Sequence, residues 1–405
     1  NIATDKENVN SKYKHIFSDS IKNNAKAIDK ALEDIKICDP AIGSGAFPVG
    51  MLNEIVRVRI ALVESGFLSE AKKRTTYEYK RQAIQNSIYG VDIESGAVEI
   101  AKLRLWLSLV VDEEDIENIK ALPNLDYKIV CGNSLLGIER NLFNDTLFKQ
   151  LEELKPQFFN ETRKSEKRRL KKQIDAIIKE LTKDGTFDFE IYFSEVFHEK
   201  GGFDVVIANP PYIDSETMFN NGMQGERDFI AKNYKWTKGN WDIYIAFFEK
   251  GYRLLTELGN MIYITPDKWL ARPFGEILRL NIKDHILSIL FAGRKIFETA
   301  LVDSIITNIS KQKCEKTNIN KYFNGNINFI QSFNLSILPK PYTLDFLVSD
   351  KIELLNKIEL QPLKISNVCA CESACATSDA YKLKPILKSL DNCKEYNDTL
   401  YKAIN

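Results

Sequence analysis

Apolar positions along the chain fall into two alternating patterns. Short runs of β-branched, aliphatic or aromatic residues, bounded by Gly, Asn, Asp or Pro, predict strands at 35–39, 87–92, 127–131, 203–208 and 260–265. Between them, apolar residues recur three and four positions apart, as at Met51, Ile55, Val58 and Leu62, which predicts a helix. Further helices are expected at 20–32, about 68–85, 97–110 and 242–255. Strands that alternate with helices predict a mostly parallel sheet covered on both faces. Two last strands, 286–291 and 303–310, are separated by only eleven residues. That gap is tight for a crossover helix, so antiparallel pairing is expected.

Two stretches interrupt this regularity. Residues 144–185 predict a charged helical insertion, whose centre, 163–172, holds seven basic residues and one acidic residue. Arg163, Lys164, Lys167, Arg168, Arg169, Lys171 and Lys172 fit either a solvated helical hairpin or an arm that contacts phosphates. After about residue 311 the pattern dissolves into Asn-rich, short alternating runs. The organisation expected is an N-terminal helical segment at 1–34, a main domain at 35–311, a linker at 312–362 and the truncated start of a further domain at 363–405.

Composition narrows the function classes. The 405 residues suffice for two or three domains, and a 44% hydrophobic content excludes wholesale disorder. Lys and Arg number 56, as do Asp and Glu, which argues against a uniformly basic nucleic-acid coat but leaves room for a local basic groove. No run of about 18 apolar residues exists. Neither end carries a signal peptide and residue 1 is Asn, so a cytoplasmic fragment of a longer chain is expected. Seven cysteines, an odd number thinly spread, fit reduced thiols. Cys369, Cys371, Cys375 and Cys393 match no common zinc spacing and have no histidine nearby, so no metal is expected.

The candidate chemistry lies at strand ends. Asp39-Pro40-Ala41-Ile42-Gly43-Ser44-Gly45-Ala46-Phe47 forms a strand-to-helix turn, where glycines let backbone approach a ligand and the helix offers free N–H groups. By itself it is equally a tight turn with no ligand. Asp92 ends the second strand, where an acid can accept hydrogen bonds from ribose hydroxyls, or simply face water. Cys131-Gly132-Asn133-Ser134-Leu135 forms another edge of the same crevice. The most informative stretch is Asn209-Pro210-Pro211-Tyr212, delivered by a buried strand. Two prolines stiffen the backbone and remove two donors, leaving carbonyl acceptors. The Asn209 side-chain oxygen and the Pro210 carbonyl can accept both hydrogens of one exocyclic amine, and Tyr212 offers a flat stacking face.

Together these motifs resemble the S-adenosylmethionine-dependent amino-methyltransferases of DNA. They are similar specifically to the adenine-N6 branch found in fused restriction–modification enzymes, the Eco57I-like or type IIG family of the γ class. The resemblance covers residues 27–311. It implies an α/β, Rossmann-like methyltransferase with a seven-stranded, mostly parallel sheet and an antiparallel final strand, followed by a recognition region. It implies that Asp39, Pro40, Ala41, Gly43, Gly45 and Phe47 shape the cofactor pocket, that Asp92 binds the ribose and that Ile93 lies against the adenine ring. Asn133 and Ser134 stand where the family often has Asp and a neighbour, and the Asn133 amide would reach N6 of the cofactor adenine. Phe297 resembles the aromatic residue that packs on a flipped base opposite Tyr212. The partners implied are double-stranded DNA, with nuclease and recognition domains in the same bacterial parent chain.

C5-cytosine methylation requires a thiolate nucleophile, in that family on a Pro-Cys dipeptide, and this chain contains no Pro-Cys. Transfer to an amine needs none. Two other readings stay open: methylation of a glutamine side chain in a protein, whose amide presents the same two N–H groups, and a catalytically silent DNA-specificity scaffold.

Overall fold

The computed structural model describes residues 18–68, 74–111, 123–136, 145–182, 186–293, 303–338 and 340–348, all within the first of two units that divide after Val348. In chain order the elements are α1 (Asp19–Asp34), β1 (Ile37–Asp39), α2 (Ala46–Glu64), α3 (Thr76–Asn86), β2 (Ile88–Asp92), α4 (Ser95–Val110) and β3 (Ile129–Cys131). There follow α5 (Asp145–Asn160), α6 (Lys164–Thr182), α7 (Phe189–Tyr192), α8 (Ser194–Lys200), β4 (Phe203–Ala208), α9 (Ser215–Asn220), α10 (Gln224–Asn233) and α11 (Ile243–Leu254). The last elements are β5 (Leu255–Pro266), α12 (Glu276–Ile282), β6 (Ile286–Gly293), β7 (Ser304–Ser310), β8 (Thr317–Phe323) and β9 (Asn326–Phe333).

One sheet of nine strands runs in the order β3-β2-β1-β4-β5-β7-β6-β8-β9. Strands β1 to β5 are mutually parallel, and β7 lies antiparallel between β5 and β6, as the short gap before it predicted. The sheet is thus mixed α/β, but it has two strands more than expected. Residues 317–333, expected as linker, extend it: β8 pairs in parallel with β6, and β9 pairs antiparallel with β8. Their Asn-rich composition has low strand propensity, and the turn gives them away. Asn324 and Gly325 both have positive φ and join Phe323 to its partner Asn326, a two-residue hairpin turn.

Local chemistry explains the elements that carry the site. Helix α3 begins with a capping box, in which the Thr75 hydroxyl accepts from Glu78 N–H and the Glu78 carboxylate accepts from Thr75 N–H. Helices α2, α3 and α4 bury Leu52, Ile55, Ile84, Val98 and Leu105 against Ile37, Ile88 and Ile129 of the strands. Val205 and Ile207 of β4 join this cluster, so by alternation Val206 and Ala208 face the other side, where α11 packs on β4 and β5. The insertion is a helical hairpin with a core of its own. Leu170, Ile174 and Ile178 line one face of α6 and meet Leu151 and Phe158 of α5, with Tyr127 beside them.

Gly90 marks how closely the first loop lies over β2: a Cβ there would stand 2.3 Å from Ile42 Cδ1. Gly90→Ala is expected to lower the unfolding free energy by about 1–3 kcal/mol in urea titrations through overpacking. Adding Ile42→Val should recover part of the loss; an unchanged midpoint for the single variant would mean that the loop yields freely.

Candidate functional site

The loops that leave β1, β2, β3 and β4 at their carboxyl ends meet around one crevice. Asp39 is 2% exposed and its Oδ1 accepts from Ala41 N–H at 3.0 Å, which turns the chain sharply after β1. Ile42 N–H donates to Val91 O at 2.9 Å, tying this loop to β2. Gly43 and Gly45 take φ of +51° and +82°, values that a side chain disfavours. A Cβ on Gly45 would also press on Ala101 of α4 at 3.0 Å, so glycine sets how closely α2 starts against α4.

Asp92 joins two loops. Its Oδ2 accepts from Gly43 N–H at 2.7 Å and its Oδ1 from Glu94 N–H at 3.0 Å. Ser134 Oγ donates to Pro40 O at 2.6 Å, so the β3 loop is fastened to the β1 loop. Asn133 Oδ1 accepts from Leu135 N–H (3.0 Å) and Leu136 N–H (3.3 Å), closing a turn on itself. Burial, reinforced by the charge of Asp92, pushes the Asp39 carboxyl up to about 8.

Strand β4 delivers Asn209 exposed, Pro210 buried and Pro211 exposed. The Tyr212 hydroxyl donates to Asn209 Oδ1 at 2.5 Å, with Ile264 O a second acceptor at 3.3 Å, and its ring stands edge-on to Tyr244. Burial, then the nearby Asp242, raises the Tyr212 hydroxyl to about 12. The segment that follows is zipped to the start of α11. Ser215 N–H donates to Trp241 O at 2.8 Å, Ile243 N–H to Ile213 O at 2.9 Å, and Ile213 N–H to Asp242 Oδ1 at 3.0 Å. Asp242 was not anticipated from the sequence, although an acid just before an apolar helical run is a usable sign. Burial raises its carboxyl to about 6.

The crevice is a cavity of about 360 Å³. Of the residues expected to form the site, Pro40, Ala41, Gly43, Asp92, Ile93, Asn133, Ser134, Asn209 and Pro211 line it. Asp39, Gly45, Phe47, Pro210 and Tyr212 do not: they stand behind or beside the lining. Ile93 is 56% exposed, an apolar side chain with an open face on the cavity. An apolar wall of Ile213, Met218, Ile230 and Phe247 completes it; sequence reading had missed this wall. Phe297 and the four C-terminal cysteines lie outside the described residues. A second cavity of about 220 Å³, between Tyr89, Lys128, Lys155 and Glu195, shares no lining residue with the first. Among the described residues no group of three or more His, Cys, Asp or Glu is placed to hold a metal, and no helix is long and apolar enough to cross a membrane.

Residues 86–297, just over half of the chain, match the family described as Eco57I restriction-modification methylase. The chain belongs to this family. Its Eco57I-type relatives include the type II restriction enzyme and methyltransferase RM.Eco57I of Escherichia coli, 25% identical over 315 residues, covering 74% of this chain and 27% of the relative. A putative type II restriction enzyme and methyltransferase of Methanocaldococcus jannaschii is 40% identical over 126 residues, which cover 30% of this chain and 10% of that protein. The chain therefore spans about a quarter or less of these relatives' length. Among solved structures, the type IIL restriction-modification enzyme MmeI in complex with DNA superposes with a TM-score of 0.52 at 15% identity, over 81% of this chain and 38% of that one. At that identity the match shows a shared fold.

The Asp39 carboxyl makes this Eco57I-type fold sensitive to pH. Its folded value of about 8 lies above the ordinary 3.8, so the folded chain keeps a proton that the unfolded chain has lost between those values. The associated stability is complete below about pH 4 and is lost as pH rises towards 8. Asp39→Asn should match the wild type in urea unfolding near pH 4 and exceed it at pH 8. Equal stability at both values would show that Asp39 is ionised in the fold.

Proposed function

We propose that this site methylates the exocyclic N6 amine of adenine in DNA with S-adenosylmethionine, as the modification part of a restriction–modification protein. One observation carries the reading: Asn209 and Pro211 share a single cavity with Asp92 and Gly43, although the two pairs are far apart in sequence. An amine acceptor and a nucleoside-sized apolar and acidic pocket thus stand side by side.

The lining fits the cofactor. A Cβ at Gly43 would meet no atom within 4 Å, so the backbone there borders open space beside the Asp92 carboxylate. Each Asp92 oxygen accepts one backbone N–H, and each keeps a lone pair for a ribose hydroxyl. Ile93 offers its exposed face to an adenine ring. Asn133 would act differently from the expectation. Its oxygen is occupied by the turn, so its Nδ2 remains, a donor suited to a ring nitrogen rather than an acceptor for the N6 amine. Bound S-adenosylmethionine would supply an electrophilic methyl group on sulfur.

The chain's own part is to hold and polarise the target amine. Asn209 Oδ1 and the Pro210 carbonyl accept its two hydrogens and draw the nitrogen towards sp³ geometry, which frees the lone pair. Prearranged dipoles of this kind act without reorganisation. The Tyr212 hydroxyl, by donating to Asn209 Oδ1, holds that oxygen in place while leaving it a second lone pair. The adenine would leave the duplex to reach the site, with the Tyr212 ring as its stacking surface. No general base is needed, because the amine gives up its proton only after it has become cationic. The relatives' description as restriction enzymes and methyltransferases favours DNA over a protein glutamine as substrate.

Phosphate contacts by the insertion narrow to three side chains. Arg163 pairs with Glu161, Arg169 with Glu166 and Lys171 with Asp126, while Lys167 lies over the Phe158 ring. Lys164, Arg168 and Lys172 have no partner among the described residues and follow one another at four-residue spacing along α6.

Asn209→Ala should reduce labelled methyl incorporation into unmethylated plasmid DNA by about 10²–10³-fold, the usual cost of one such polar group. Its calorimetric affinity for S-adenosylmethionine should stay unchanged, whereas Asp92→Ala should lose affinity; a fully active Asn209→Ala would sink the mechanism. Reversing Lys164, Arg168 and Lys172 to Glu should flatten the dependence of log K on log salt by about 2–3. An unaltered slope would return the hairpin to a purely solvated role.

A further inference from the structure

A separate cleft opens beside the segment that follows the Asn-Pro-Pro-Tyr turn. It encloses about 390 Å³ between Ser215, Glu216 and Phe219 on one side and Arg227, Gly239 and Asn240 on the other. Ser215 also forms part of the zip to α11, so the cleft is built on the same backbone that holds Asn209. None of its residues lines the crevice that holds Asn209 and Asp92.

Two side-chain donors in this cleft have no acceptor among the described residues. Arg227 Nε is buried without a hydrogen-bond partner among the described residues, and the guanidinium's one recorded contact is NH1 to Asp228, at 3.1 Å. A buried donor left unsatisfied is destabilising, and turning the partly exposed guanidinium onto an incoming acceptor would relieve it. Asn240 Oδ1 is taken by the Ser215 hydroxyl at 2.7 Å, so its Nδ2 is the group left to donate. Gly239 has φ of +67° and nothing within 4 Å of a notional Cβ, which leaves the backbone open to close approach. The Phe219 ring is 53% exposed. Lys235 and Lys238, both exposed, lie on the segment that leads in, and Glu216 is the one carboxylate in the lining.

We propose that this cleft is a phosphodiester subsite, in which the Arg227 guanidinium and Asn240 Nδ2–H hold the DNA backbone next to the adenine presented to Asn209, and Phe219 takes the face of a neighbouring base. The inference rests on the reading of the Asn209 site as a DNA adenine site. A guanidinium and an amide are suited to phosphate oxygens, and an exposed aromatic ring accepts any base by stacking. A fixed phosphate beside an extruded nucleotide would keep the strand from sliding back into the stack.

The test uses equilibrium binding of a fluorescein-labelled unmethylated duplex across a salt series, together with labelled methyl incorporation into the same DNA. Arg227→Gln should flatten the log K against log salt slope by about 0.9, one phosphate contact. It should raise KM for DNA about tenfold with kcat and cofactor affinity within about twofold, the signature of lost uniform binding. Asn240→Asp, on an exposed loop, should weaken binding by repulsion, and Phe219→Ala should raise KM without altering the salt slope. An unchanged slope and KM in both Arg227→Gln and Asn240→Asp would overturn the subsite. A slope that depends on Arg227 in a protein that transfers no methyl group would keep the subsite and refute the reaction assigned to Asn209.

Discussion

β1 is hydrogen-bonded in parallel to β2 on one side and to β4 on the other, and this double pairing decides where a ligand can enter. The chain runs from β1 through β2 to β3 in one direction and then returns to build β4 on the opposite flank. Loops leaving neighbouring strands therefore part company above β1, and a crevice opens between them. Apart from Asp92, the last residue of β2, every lining group named for the crevice stands on one of these loops or on the helices that follow β4. The strands themselves are as short as three residues, so the loops are kept in place mainly by one another. The Asp92 carboxylate and the Ile42 N–H bind the loop after β1 to the end of β2, and the Ser134 hydroxyl binds it to the loop after β3.

Three of the acids around the crevice are engaged in different ways. Asp39 is buried beneath it and raised to about 8, so near neutral pH it is mostly an uncharged turn former. Asp242, raised to about 6 by burial, fixes the backbone just after Tyr212 through Ile213 N–H. Asp92 faces the cavity and spends one lone pair of each oxygen on backbone donors. Asp39 and Asp242 serve the backbone; Asp92 keeps capacity for a ligand. Burial decides this division, because removing a carboxylate from water disfavours its charge far more than one backbone donor restores it.

The balance of 56 basic and 56 acidic residues conceals an uneven use of cations. In the densest basic stretch, 163–172, four of seven side chains are committed to carboxylates or an aromatic ring. That hairpin also packs beside the approach to β3, through Asn124 and Asp126, at the opposite end of the strands from the crevice. The basic and amide groups of 227–240 are fewer, yet they adjoin the Asn-Pro-Pro-Tyr segment. Position relative to the site matters more than the local count of charges, since exposed charges are screened within about 8–10 Å at physiological salt.

Local pattern determined β1 to β7 and the helices α1 to α6 and α11: the period of apolar positions set these helices, Gly and Pro set the turns, and the short gap between β6 and β7 set their antiparallel pairing. The short helices α7 to α10 and α12 went unread. The same local chemistry placed Asp92, Asn133 and Asn209 at strand ends. It missed β8 and β9, where asparagine disguises strands that exist because β6 offers a free edge for β8 to pair with. Only the tertiary structure decided which candidate residues face the cavity. Asp39 and Tyr212 turn to hydrogen-bond partners and stand back from the lining, while Ile93 is left open. It alone brought Asp242 to Ile213 and set Arg227 and Asn240 on one cleft, because such groupings arise from strand register and helix docking between distant segments. A local sequence window carries no term for those contacts.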